Sequence, residues 1–181
     1  MKSKKIWIIK IFIITLIVSA GFSVVSEVFI SNMPIVSAVV VLAALIIVGI
    51  VFDIFGVAVS TCDETPFIAM SAKKIKKAVN ALPLLKKADV VANIFNDVIG
   101  DICGIVSGAA GAAISAKIIA SNPGSHDLFI AILISSLISA ATVGGKAAGK
   151  SFAMKKNKEI VIFLGGVLDI FKFGGKHEKK S

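Results

Sequence analysis

An all-α integral membrane protein is the fold class this sequence predicts, and three observations carry that reading. Of its 181 residues, 56% are hydrophobic, and the mean hydropathy is +0.94. A soluble domain is roughly 45–50% apolar and about 25% charged, whereas only 17% of this chain is charged, in blocks between apolar runs. The runs also have the right length. A helix rising ~1.5 Å per residue needs about 20 apolar residues to cross a hydrocarbon core of ~30 Å. Four segments fit, at about 6–30, 35–58, 97–120 and 128–148.

The first segment follows a basic start and carries the small residues Ser19, Ala20 and Gly21, the pattern of a secretory leader. Its apolar core, IFIITLIVSAGFSVV, is long for a leader, so we read residues 1–34 as a retained span and its turn. Cleavage would leave three spans and move nothing else. The second run, IVSAVVVLAALIIVGIVF, continues through Asp53 and Gly56 to the polar stretch STCDETP. There, Thr61 or Asp63, followed by Glu64, Thr65 and Pro66, is a helix start with proline early in the first turn. The next stretch, PFIAMSAKKIKKAVNAL, has apolar residues at helical spacing with lysines between them. Pro83 is expected to break this helix, and LLKKADVVANIF to resume as a second one. Residues 59–96 are therefore expected to form a helical hairpin lying against the membrane.

The third span is expected to begin at NDVIGD and carries Gly100, Gly104, Gly108 and Ala112 at four-residue intervals. Such rows of small residues let helix backbones approach closely in lipid, which predicts a central, tightly contacted helix. The fourth span ends at Gly144, Gly145 and Gly149, where the backbone is expected to open. The segment IVIFLGGVLDIFKF (160–173) is too short to cross, and with Lys172 it suits a short juxtamembrane helix at an anionic lipid surface. Residues 174–181 form a basic tail.

The net charge of +9 is entirely lysine in origin, since the chain has no arginine. These lysines flank the apolar runs, which points to membrane topology and away from nucleic acid. Residues 2–5, the 59–96 stretch and the chain after 149 are lysine-rich, while the turns at 31–34 and 121–127 have none. With four spans the rich segments share one side. The positive-inside rule makes that side cytoplasmic, giving a multi-pass protein of the cell membrane. Cys62 and Cys103 fall near it and read as free thiols. No zinc site is expected, because His126 lies on the opposite side and His177 in the tail.

Ionisable groups within a membrane are costly and mark functional sites. Lys117 and Glu27 are expected to reach the outer interface, and Asp53 to cap or pair near the inner boundary. Asp63 and Glu64 suit a helix start. Asp97 and Asp101 lie four apart on one helix face, beside Asn96. Two carboxylates and an amide in a low-polarity medium need positive charge or shared protons, and hard cations prefer such oxygen ligands. No histidine lies near and no phosphate loop is present, so the chain is not read as an enzyme.

Taken in order, three motifs resemble the transmembrane domain of the CorC/CNNM (cyclin M) magnesium-transporter family. S-T-C-D-E-T-P-F (60–67) resembles that family's S-G-x-E-T-A-L element, and N-D-V-I-G-D (96–101) its G-N-N-x-x-N element. G-G-K-A-A-G-K-S-F-A-M-K-K-N-K-E (144–159) is similar to G-E-x-x-P-K-S-x-A-x-R-N-P-E, with Lys150, Ser151, Ala153, Asn157 and Glu159 in place. The resemblance spans roughly 40–172 and implies that 35–173 is a homodimeric membrane domain of three spans, a cytoplasmic hairpin and a juxtamembrane helix. It implies a Mg2+ site near the midplane. The matching positions are Thr61, Asp63, Asn96, Asp97 and Gly145, and Asp101 joins them from the reading of the residues. The sequence departs from the family at Lys146, where a glutamate is expected, and at Gly149, where a proline is. It adds the N-terminal span and has no counterpart of the family's cytoplasmic cystathionine-synthase-like domains.

The expected function is divalent-cation transport through this acidic and amide pocket. The alternative is a non-transporting membrane scaffold, or a regulator of another transporter, in which Lys146 stands permanently where the cation would be, paired with Asp97 or Asp101.

Overall fold

The structure, a computed structural model, describes residues 2–121, 124 and 127–174. His126, His177 and the tail beyond Gly174 lie outside the described residues, as do the side chains of Glu27 and Lys172. The order is α1 (Lys2–Asn32), α2 (Ile35–Thr61), α3 (Thr65–Ala72), α4 (Lys76–Leu85), α5 (Ala88–Asn93), a π-helical segment (Ile94–Gly100), α6 (Asp101–Ser121), α7 (Asp127–Lys155) and α8 (Asn157–Gly174). Among the described residues there is no strand. Among the described residues three helices are long and apolar enough to cross a membrane: Ile35–Thr61, Ala88–Ser121 and Asp127–Lys155. Within α1 the strongly apolar stretch is shorter, Phe12–Gly21.

Several boundaries differ from the sequence reading, each for a local reason. The stretch 67–82 is two helices, because α3 closes on itself at Lys74. Lys74 N–H donates to the Ser71 carbonyl (2.9 Å) and Ile75 N–H to that of Met70 (3.2 Å), with Lys74 at φ 58. This pairing ends helices with a left-handed residue, usually glycine. Pro83 does not break α4. It sits within the last turn, where the loss of one N–H costs little continuity, and the helix ends at Leu85. The second helix of the expected hairpin is no separate surface element either, since α5 runs through the π-helical segment into α6 as one helix of 34 residues. Nor does the backbone open at Gly144, Gly145 and Gly149, because α7 passes through all three unbroken.

The chain divides into two compact units, Met1–Ile50 with Val98–Gly145 and Val51–Asp97 with Lys146–Ser181. In the first, α1 packs along α6. A small core forms from Ala38, Leu42, Ala110 and Ile114, with Ile46 and Ile138 against it. The Lys117 ammonium donates to the Met33 carbonyl, at the turn before α2. The buried face of α6 carries Ile102, Val106, Ala110, Gly111 and Ile114. The predicted row of small residues shares this burial only at its start: Gly100 is buried and Gly104 half-buried, whereas Gly108 and Ala112 are exposed.

In the second unit, α4 packs on α8 over a core of Phe67, Ala78, Ala81, Leu85, Val161 and Leu164. Burial of this kind contributes about 25 cal/mol per Å² of apolar surface, so α8 is held by protein as well as suited to an interface. The two backbones come together at Gly165, where an added Cβ would lie 2.1 Å from the Lys77 carbonyl oxygen.

Candidate functional site

Asp53 lies two turns before the end of α2 and is 3% exposed. Burying a carboxylate is expensive unless a charge or donors meet it. Lys150 of α7 supplies the charge, with Nζ 3.7 Å from Asp53 Oδ2. That separation exceeds the 2.7–2.9 Å typical of a charge-assisted hydrogen bond, and Oδ2 has no hydrogen-bond partner. The Lys150 side chain is half exposed, whereas that of Asp53 is not.

Asn96 supplies a second unmatched oxygen on the same unit. Its Oδ1 is buried and has no hydrogen-bond partner. It lies 2.0 Å from where a Cβ on Gly56 would stand, so the amide rests directly on the backbone of α2. Gly56 follows Asp53 by three residues, on the same helix face. Aromatic packing fixes this approach: the Phe95 ring lies 5.7 Å from that of Phe52 and 6.3 Å from that of Phe55. Asn96 also falls within the π-helical segment, a geometry that recurs at functional sites. Each unsatisfied buried oxygen costs on the order of 1–3 kcal/mol.

The sequence-predicted residues have varied settings. The Thr61 hydroxyl is exposed and donates to the Val57 carbonyl of its own helix at 2.7 Å. Asp63 is exposed and caps α3, its Oδ1 accepting from Thr65 N–H at 3.0 Å and from the Thr65 hydroxyl at 2.8 Å. The Thr65 N–H first, and then its hydroxyl, hold the Asp63 carboxyl below the usual carboxylate range. Asp97 and Asp101 are exposed, and Lys146 is partly buried. Gly145 lies in the unit of Asp101, where an added Cβ would stand 2.3 Å from Ile50 Cδ1. Asn96 is thus the predicted member with a buried, unmatched oxygen. Among the described residues no three His, Cys, Asp or Glu side chains gather where they could hold a metal ion.

Asp53 pairs, as one of its two expected roles, but Lys150 as its partner is not foreseen by the sequence reading. The available signal was that Asp53 is the only charged residue in the run 35–58. Nothing in the spacing linked it to a lysine 97 positions later. Nearby, Asn157 Nδ2 donates to the Thr61 carbonyl at 2.8 Å, tying the start of α8 to the end of α2. Cys62 is a free thiol whose pKa is raised chiefly by burial.

No family model, no curated protein and no solved structure matches this chain. The chemistry of the site is therefore argued from its own atoms. Two unmatched oxygens, one anionic and one amide, are ligands that a hard cation accepts. Magnesium keeps several of its waters and is commonly held by only one or two carboxylates.

Proposed function

We propose that this chain is a multi-pass membrane protein that binds and passes a divalent cation, magnesium by preference, at the Asp53 and Asn96 oxygens. One observation carries the reading: an almost fully buried carboxylate oxygen within a candidate span faces an ammonium with no hydrogen bond between them. Lys150 then acts as a tethered counterion. Its half-exposed stem lets it swing toward water when a cation takes its place. The motif resemblance to the CorC/CNNM magnesium transporters supports the same chemistry and supplies Thr61, Asp63 and Asp97, in the unit of Asn96, as further candidate ligands; Gly145, from the same resemblance, and Asp101, from the reading of the residues, belong to the other unit. A fourth span in α1, lysine-rich segments facing the cytoplasm and a homodimer complete the proposal. The outward row of Gly104, Gly108 and Ala112 suits close packing of two copies in lipid.

The second reading is a non-transporting scaffold, favoured by the same lysine: a permanent Asp53–Lys150 pair is already neutral and needs no ion. Lys146, partly buried, is the other internal cation in that reading. Reconstitution separates the two. Liposomes loaded with a magnesium-sensitive dye are expected to report entry through the wild-type chain, loss of entry with Asp53→Asn, and entry retained with Lys150→Gln. No entry through the wild type or Lys150→Gln, with Lys150→Gln less stable, establishes the scaffold.

A further inference from the structure

A second polar feature, separate from the Asp53 and Asn96 oxygens, lies in the same unit between α4, α8 and the turn that opens α4. It is a cavity of about 230 Å³ lined by Lys74, Lys76, Val79, Asn80 and Asp169. Its charges are of both signs and come from different elements. Lys74 and Lys76 stand on the turn between α3 and α4 and at the start of α4, with Lys74 held in the left-handed conformation at φ 58. Asp169 comes from α8, and its Oδ1 accepts a hydrogen bond from Asn80 Nδ2 at 3.0 Å. Asn80 is 7% exposed, so the carboxylate is anchored at the cavity wall by a buried amide.

A simple anion suits the lysines but meets the carboxylate, and a simple cation meets the lysines. A ligand carrying both signs within a few ångströms is complementary to all three. The surroundings narrow the class further. Val79 and Ile75 are nearly half exposed and Ile170 is 73% exposed, placing apolar surface beside the charged cavity. The chain also enters α3 only four residues after a candidate span ends at Thr61, which keeps this face near the headgroup layer. Lysines with exposed apolar neighbours are the composition of an interfacial surface.

We infer that the cavity holds the headgroup of an aminophospholipid, its phosphate on Lys74 and Lys76 and its primary ammonium on Asp169. The primary amine matters because it donates hydrogen bonds to a carboxylate, whereas the quaternary ammonium of a choline headgroup has no N–H to give. The glycerol headgroup carries the phosphate alone and offers Asp169 no cation.

The test uses the full chain in nanodiscs of equimolar phosphatidylethanolamine, phosphatidylglycerol and phosphatidylcholine. After extraction, the lipids still bound are counted by mass spectrometry. Phosphatidylethanolamine is expected to be retained roughly tenfold over either competitor, the ratio that one charge-assisted hydrogen bond sets. Asp169→Asn keeps an acceptor for Asn80 and is expected to erase the preference over phosphatidylglycerol. Lys74→Gln with Lys76→Gln, on an exposed turn, is expected to lose retention of both lipids. Equal retention of phosphatidylglycerol by the wild type overturns the inference, as does a preference that survives Asp169→Asn. If soluble phosphoethanolamine binds the delipidated chain while no lipid is retained, the membrane source is overturned.

Discussion

Lys150 Nζ and Asp53 Oδ2 stand 3.7 Å apart, charge beside charge without a hydrogen bond. The arrangement is asymmetric, because the aspartate is almost fully buried while the lysine side chain is half exposed. Water can solvate the lysine if the pair separates. It cannot do the same for the carboxylate, so the two members are expected to respond differently to removal.

Lys150→Gln strands a buried anion and is expected to destabilise the protein by about 3–5 kcal/mol, the cost of removing one partner of a buried ion pair. Asp53→Asn removes the charge that needed a partner and is expected to cost less. In the double variant the lysine substitution has no anion left to strand, so its effect is expected to shrink. Denaturation midpoints in detergent for the four proteins of this cycle measure the coupling. Strict additivity would show that the two groups do not interact.

Gly56 gives a second measurable consequence. A Cβ there would lie 2.0 Å from Asn96 Oδ1 and 2.5 Å from Asn96 Cγ. Gly56→Ala therefore displaces the amide, at a cost of about 1–3 kcal/mol by the usual measure of overpacking. Asn96→Ala makes room for the new methyl, so Gly56→Ala is expected to cost markedly less in that background. An equal cost in both backgrounds would place the clash elsewhere.

Where the sequence was informative, the information was in period and composition. The helical class and three long apolar helices follow from run length alone, as does the helix start at Thr65–Pro66 with Asp63 before it. What local signals missed was set by tertiary contacts or by alternatives that one residue decides. Lys74 adopts a conformation usually reserved for glycine, so no Gly marked the end of α3. The glycines of α7 resembled a break, yet Gly145 serves close approach to Ile50 within an intact helix. The Gly104–Gly108 row was legible as a packing motif, but its direction, away from this chain's own core, was not. The Asp53–Lys150 pair joins positions that only the fold brings together.

Gly165 is the point where α8 meets the backbone of α4. Its added Cβ would meet the Lys77 carbonyl oxygen at 2.1 Å and the Ala81 Cβ at 2.9 Å. Neither neighbour is the far end of a flexible side chain, so the helices must part. Gly165→Ala is expected to cost at least the 1–3 kcal/mol typical of overpacking and to expose the α7–α8 junction to limited proteolysis. Gly166→Ala is the control, because its added Cβ would make only ordinary contacts with the Lys77 side chain, 3.5 Å or more away. Similar proteolysis of the two variants would mean that α8 is not seated through Gly165.

Gly108 tests the proposed homodimer. It is exposed, and an added Cβ there would meet nothing within 4 Å in this chain, so Gly108→Leu is expected to leave the folded protomer intact. If two copies pack through the small-residue row, the leucine separates their backbones. Crosslinking in membranes is then expected to fall severalfold while the melting temperature of the protomer holds. Unchanged crosslinking would move any dimer contact off this face.

Asp63 provides a pH readout at the point where the chain leaves α2. Its folded pKa lies below the ordinary carboxylate value, because the Thr65 N–H and hydroxyl donate to the ionised form. A depressed pKa means the cap is fully present above the unfolded value and is lost as pH falls through the folded one. Protection of the Thr65 amide against hydrogen exchange is therefore expected to hold from neutral pH down to the carboxylate range and to drop only below it. Asp63→Asn retains a capping oxygen that does not titrate, so its protection is expected to stay level across the same window. A wild-type profile as flat as that of the asparagine variant would mean that the carboxylate does not secure the first turn of α3.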